Sequence, residues 1–246
     1  EILGGIRQKN FMRVVNKTAK DCDMIFTICD EMNDAYGKLF EKKCLTLHTV
    51  AERKNVQLAQ TARHVSYIGN LKCGRYKTLI DIGKALSELR DENVPNVIDV
   101  YSGTREFDCI EPLKKAPGIN FCGEISAESV LEVMANSMAV IHTESFEQEM
   151  MELVRFSVST KIAESLMYGP CLIAYGPEGI ASIDYLKENN AAYVISRPED
   201  LEKGLEEILT NKELREQIVR NARALALKNH NADVNPRKVR KWLQEV

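Results

Sequence analysis

Arg155-Phe-Ser-Val-Ser-Thr-Lys-Ile-Ala-Glu-Ser-Leu-Met-Tyr-Gly-Pro-Cys-Leu-Ile-Ala-Tyr175 is a loop, a short helix and a buried strand in immediate succession. Ser159 predicts the N-cap, because its hydroxyl can accept a backbone N–H that the first helical turn leaves without a partner. Lys161 then falls where the helix dipole is positive, a locally unfavourable place for a cation. A phosphate held jointly by the ammonium and the first-turn N–H groups would compensate. Glu164 lies one turn further on, within reach of a ribose if the phosphate belongs to a nucleotide. Gly169-Pro170 closes the helix, and Cys-Leu-Ile-Ala-Tyr is a core strand. A capped helix with Lys161 in solvent accounts for the same residues without a ligand.

Outward from this stretch, short apolar runs alternate with helical patterns. Val65–Ile68, Val97–Tyr101, Ile119–Cys122, Met138–His142 and Ala192–Ile195 all read as strands. Leu79, Ile82, Leu86 and Leu89 mark one helical face between about Tyr76 and Arg90. Strand–helix alternation predicts an α/β fold with a doubly wound, parallel, Rossmann-like sheet. Helices are expected at Glu199–Leu209, at Glu213–Leu227 and from about Pro236. Upstream, residues 7–20 read as a helix, with Phe11, Val14, Val15 and Thr18 on one side. Asp23–Cys29 and Cys44–His48 read as strands, and Asp30 as the cap of a helix between them. That β-α-β piece is short for an independent domain. The expected division is residues 1–62, ending in a polar linker over 50–62, and residues 63–246.

The 246 residues carry a net charge of -3, with 44% hydrophobic and 28% charged side chains. That balance suits a soluble α/β protein and argues against a general nucleic-acid binder. Seven cysteines without framework spacing point to free thiols in a reducing, cytoplasmic compartment. The histidines at 48, 64, 142 and 230 are dispersed, so no metal site is expected. Asp21-Cys-Asp23 precedes a strand rather than following one, and reads as a helix-to-strand connection. Glu147, Glu149 and Glu152 read as a solvated helical face.

Ligands of doubly wound sheets bind at the carboxyl ends of the strands, which selects three more loops. Gly69-Asn-Leu-Lys-Cys-Gly-Arg-Tyr-Lys77 has two glycines that admit close approach and three cations within six residues, Lys72, Arg75 and Lys77. It lacks the Gly-x-Gly-x-x-Gly dinucleotide pattern. Phe121-Cys-Gly-Glu-Ile-Ser126 and Thr143-Glu-Ser145 are the other two, and Gly103 could line the same cleft. Ser126 also reads as a helix cap, and Glu144 as an exposed loop carboxylate, with contact to a ligand's sugar the alternative.

Ser-Val-Ser-Thr-Lys-Ile-Ala-Glu-Ser-Leu-Met-Tyr-Gly-Pro, followed by Ala-Tyr-Gly-Pro-Glu-Gly, resembles the donor-binding signature of GT-B glycosyltransferases of the retaining group 1, or family 4, type. The likeness runs from about His64 to the C-terminus and is weaker before it. It implies transfer of a sugar from a nucleoside-diphosphate sugar to a hydroxyl acceptor. Arg75 and Lys161 would be catalytic, neutralising the leaving diphosphate without a metal or other cofactor. Gly69, Lys72, Gly123, Glu124, Ile125, Ser145, Ser159, Thr160 and Glu164 would bind the donor. Gly123 to Ile125 would hold the nucleobase by main-chain groups, and Glu164 the ribose. Many relatives have arginine directly after the first glycine, where this chain has Asn70. The resemblance also implies a glycan or lipid-linked acceptor bound by a domain this chain lacks. Membrane contact, if any, would be peripheral and through missing residues, with no nucleic-acid partner. A non-hydrolysing nucleotide-sugar epimerase and a non-enzymatic nucleotide-binding module share the fold.

Overall fold

The computed structural model describes residues 2–52, 54, 56–59 and 62–245. The chain divides into two compact units, Glu1–Thr49 and Val50–Val246.

The first unit contains helix α1 (Ile2–Asp21), strand β1 (Ile25–Thr27), helix α2 (Asp30–Phe40) and strand β2 (Cys44–Thr46). β1 and β2 pair in parallel, Ile25 opposite Cys44. Both strands are shorter than their apolar runs. Phe11 and Val14 of α1 are exposed, so its expected apolar side is not buried there, whereas Ala19 is. Asp30 does not cap α2. Its carboxylate accepts the Thr46 hydroxyl, and the N-cap is Cys29, whose sulfur accepts from Met32 N at 3.4 Å.

The second unit is one six-stranded parallel sheet with helices on both faces. Its elements in chain order are β3 (His64–Ile68), α3 (Arg75–Glu88), β4 (Ile98–Tyr101), α4 (Phe107–Lys115), β5 (Ile119–Gly123), α5 (Ala127–Ala135) and β6 (Ser137–Thr143). There follow α6 (Gln148–Val154), α7 (Thr160–Tyr168), β7 (Cys171–Tyr175), α8 (Ala181–Glu188), β8 (Tyr193–Ile195), α9 (Leu201–Thr210), α10 (Lys212–Leu225) and α11 (Val234–Leu243). The expected helix at Glu199 starts instead with a 3₁₀ turn, Pro198–Asp200, and the one ending at Leu227 relaxes into a π turn over Ala226–His230.

The sheet order is β5-β4-β3-β6-β7-β8. The chain winds outward from β3 in one direction, returns to β6 and winds outward in the other. β3 and β6 therefore flank the switch point, where such sheets bind ligands. Burial on both faces explains the nearly continuous apolar strands. In β7 all five residues are buried, with Ile173 and Tyr175 in one core and Leu172 and Ala174 in the other. The first core packs Leu79, Ile82 and Leu86 of α3 and Leu205 and Ile208 of α9 on the sheet. The second gathers Met134 of α5, Leu166 of α7, Ile183 of α8 and Ala222 of α10. Each fully buried Leu or Ile contributes about 1.5–3 kcal/mol relative to exposure.

Within the expected linker, Arg53, Asn55, Gln60 and Thr61 lie outside the described residues. Its neighbours are tied to the second unit. Ala51 N donates to His230 O at 2.9 Å, Lys54 N to Tyr168 Oη at 2.8 Å, and Ala59 N to Ala135 O at 2.8 Å.

Candidate functional site

The loop after β3 is held in a fixed shape. Leu71 is fully buried, and its N–H donates to Thr104 Oγ1 at 2.9 Å. Tyr67 Oη donates to Asn70 O at 2.5 Å. Cys73 and Gly74 then adopt successive left-handed conformations, φ 56° and 75°, which turn the chain into α3. At Gly74 a side chain would collide with Ser145, its Cβ falling 2.5 Å from the hydroxyl oxygen. The loops after β3 and β6 thus meet only because that position is glycine.

Arg75, the first residue of α3, crosses to the loop after β6. Its Nε donates to Glu144 Oε2 at 3.0 Å and its Nη2 to Glu144 Oε1 at 2.8 Å. A third donor, Nη1, reaches Asn70 Oδ1 at 3.0 Å. Two of the five guanidinium N–H groups remain, one on each terminal nitrogen. Glu144 is completely buried, which corrects the expectation of an exposed loop carboxylate. Burial pushes its carboxyl above the usual range, opposed by the guanidinium. The reason lies in topology: β6 is a central strand, and the residue following it is still inside the sheet's covering layers.

A cavity of about 400 Å³ opens at this switch point, lined by Gly69, Asn70, Cys73 and Arg75 on one side and Ser157, Ser159, Thr160 and Lys161 on the other. Ser159 is the N-cap of α7, its hydroxyl accepting from Lys161 N at 3.4 Å. Lys161 Nζ donates to Glu164 Oε2 at 3.0 Å. The structure thus brings together Gly69, Arg75, Ser159, Thr160, Lys161 and, through Lys161, Glu164.

The remaining sequence candidates lie apart from the cavity wall. Lys72 pairs with Glu106 at 2.6 Å, and Lys77 pairs with Glu147. Ser145 is buried and accepts from Glu147 N at 3.1 Å, so its hydroxyl serves the turn. Gly123 ends β5 in a left-handed conformation, φ 79°, with open space where a Cβ would be. Ser126 caps α5, as its position suggested. Glu124 is exposed, 3.8 Å from Arg105 and beside Gly103. Ile125 packs at the margin of the second core. Asp21 ends α1 and Asp23 precedes β1, a helix-to-strand connection. Among the described residues no three His, Cys, Asp or Glu side chains are grouped to hold a metal ion, and no helix is long and apolar enough to cross a membrane.

His142 was not a sequence candidate, yet it lines the cavity. Its Nε2 is hydrogen-bonded to the buried Ser182 Oγ at 3.0 Å. Burial, with the Arg75 charge nearby, pushes its pKa down from 6.5 to about 3. A base whose folded pKa is depressed binds its proton first in the unfolded chain. Stability is therefore fully present above pH 6.5 and is lost as pH falls toward 3. Between pH 6.5 and 5 this group alone should cost about 1–2 kcal/mol. Denaturant melts of wild type and His142→Gln across that interval should show a shallower pH slope in the variant. Equal slopes would mean that His142 is not buried neutral.

A family model described as glycosyl transferase-like matches residues 85–241. Several solved structures superimpose. HepE from Anabaena, in complex with UDP and glucose, gives a TM-score of 0.74 at 12% identity, over 95% of this chain and 66% of that one. TarM from S. aureus gives 0.72 at 15% identity, over 95% and 45%. WaaG, a glycosyltransferase involved in lipopolysaccharide biosynthesis, gives 0.59 at 17% identity, over 82% and 57%. At these identities the likeness establishes the fold, a GT-B type Rossmann-like domain. The chain spans about half the length of TarM and WaaG. No curated protein sequence matches it.

Proposed function

The chain belongs to the glycosyl transferase-like family, and we propose that it supplies the donor half of a glycosyltransferase that takes its sugar from a nucleoside diphosphate. The observation that carries this reading is the cavity between β3 and β6, which has Arg75 on one wall and Lys161 at the start of α7 on the other. The diphosphate sits between them, its oxygens on the first-turn N–H groups of α7 and on the Lys161 ammonium. As the glycosidic bond breaks, the leaving diphosphate gains negative charge. Fixed donors aimed at that charge lower the barrier, and two cations perform the neutralisation that a divalent metal performs elsewhere. Glu164, one turn along α7, receives the ribose hydroxyls. Gly123 to Ile125, at the end of β5, receive the base.

UDP-sugars are the favoured donor class, because HepE is in complex with UDP and glucose. Retention at the anomeric carbon follows the group 1 resemblance. The acceptor, a glycan or lipid-linked hydroxyl, is bound by segments beyond residues 63–246. Residues 1–62 are then the terminal part of the acceptor domain and the linker that follows it.

A thermal-shift panel of UDP, GDP, ADP and dTDP tests the donor site on this chain alone. At about 100 times its dissociation constant, a true ligand adds roughly 2.7 kcal/mol. One member should raise the melting temperature, with or without EDTA. No shift from any of the four would overturn the reading.

A further inference from the structure

We propose that Glu164 is a specificity determinant that keeps free phosphate and pyrophosphate out of the cavity and admits only a diphosphate carrying a ribose. This inference rests on the donor-site reading above and adds a selectivity mechanism to it.

The cations lining the cavity are Arg75 and Lys161. Each is already matched. Arg75 is forked onto the buried Glu144, and Lys161 Nζ lies 3.0 Å from Glu164 Oε2. Two positive and two negative charges leave this anion site with no net charge when empty. That is a weak trap for a bare anion, although α7 presents its positive end there. The two pairs differ in how easily they open. Glu144 is 1% exposed, and separating it from Arg75 would strand a buried charge. Lys161 and Glu164 are 37% and 31% exposed, so their pair can exchange partners at small cost.

Pyrophosphate entering this site competes with Glu164 for the Lys161 ammonium, and the carboxylate, one helical turn away, repels the new anion. A nucleoside diphosphate meets no such penalty. Its ribose brings two vicinal hydroxyls that donate to the carboxylate as the phosphates accept from the ammonium. Each half of the ligand satisfies the group that the other half displaces. Glu164 thus makes the nucleoside a condition of tight phosphate binding.

Removing the Glu164 charge should accordingly move two ligands in opposite directions. In calorimetric titrations, Glu164→Gln should weaken UDP, or whichever diphosphate the panel selects, by about tenfold. The same change should tighten pyrophosphate by about threefold to fivefold. Glu164→Ala should do likewise, and thermal melts of both variants check folding. The gain for pyrophosphate should vanish in Lys161→Ala/Glu164→Gln, because it acts through the released ammonium. If the diphosphate binds wild type but pyrophosphate binds Glu164→Gln no better than wild type, the selectivity proposal is overturned and the donor site stands. A gain that survives loss of Lys161 overturns it too. If no nucleoside diphosphate binds wild type, the donor-site reading fails and takes this inference with it.

Discussion

Glu144→Ala should destabilise the chain by about 3–5 kcal/mol, the usual cost of breaking a buried ion pair by removing one partner. Arg75 has only 13% of its side chain exposed, and without Glu144 two of its three hydrogen bonds are gone. Asn70 alone cannot hold the guanidinium. The loop after β3 should then loosen, because Arg75 begins α3 and ties that loop to the end of β6. Arg75→Met provides the complementary result, with a pH dependence. Burial raises the Glu144 carboxyl above its ordinary value of 4.5, and losing the guanidinium raises it further. A carboxyl with a raised folded pKa lends stability that is complete below the unfolded value and lost as pH rises through the folded one. Arg75→Met should therefore lie closest to wild type near pH 4.5 and fall behind it toward pH 7. Replacing both partners, Arg75→Met with Glu144→Leu, should recover much of the loss. Urea melts of the four proteins at both pH values measure this. A loss below about 1 kcal/mol for Glu144→Ala would show the pair to be no more than a surface bridge.

That pair also marks where the sequence stops being legible. The strands could be read because both faces of a parallel sheet are apolar, and β7 spans the residues its pattern indicates. Ser159 could be read as a cap because capping is local chemistry. Glu144 could not be placed, since nothing within a few residues of it shows that Arg75, 69 positions earlier, arrives beside it. Asn70, directly after the loop's first glycine, brings no charge of its own but accepts from Arg75 and so helps to hold that cation. Asp30 failed as a cap for the same long-range reason: Thr46, 16 residues later, engages its carboxylate, and Cys29 is left to accept from the helix. His142 sat in an apolar strand with no local sign of the cavity it lines.

Lys161→Ala should weaken nucleoside diphosphate binding by about 10- to 100-fold, from loss of a charge-assisted contact at a helix start. The unliganded protein should barely notice. The substitution gives up a half-exposed pair with Glu164 but removes a cation from the positive end of α7, and these small terms oppose each other. A residue that only decorates the surface would leave binding unchanged. The two readings therefore separate in affinity and agree in stability, so loss of fold cannot imitate loss of the contact. The effect should shrink at high salt. It should fall on the diphosphate and spare the nucleoside, which does not reach the ammonium.

A diphosphate held in the cavity between β3 and β6 has a direct thermodynamic signature. Isothermal titration of wild type and Lys161→Ala with UDP, or the panel's preferred diphosphate, and with the corresponding nucleoside tests it most directly. The diphosphate should lose about 10- to 100-fold in affinity and the nucleoside none. Equal diphosphate affinity in the two proteins would contradict that placement.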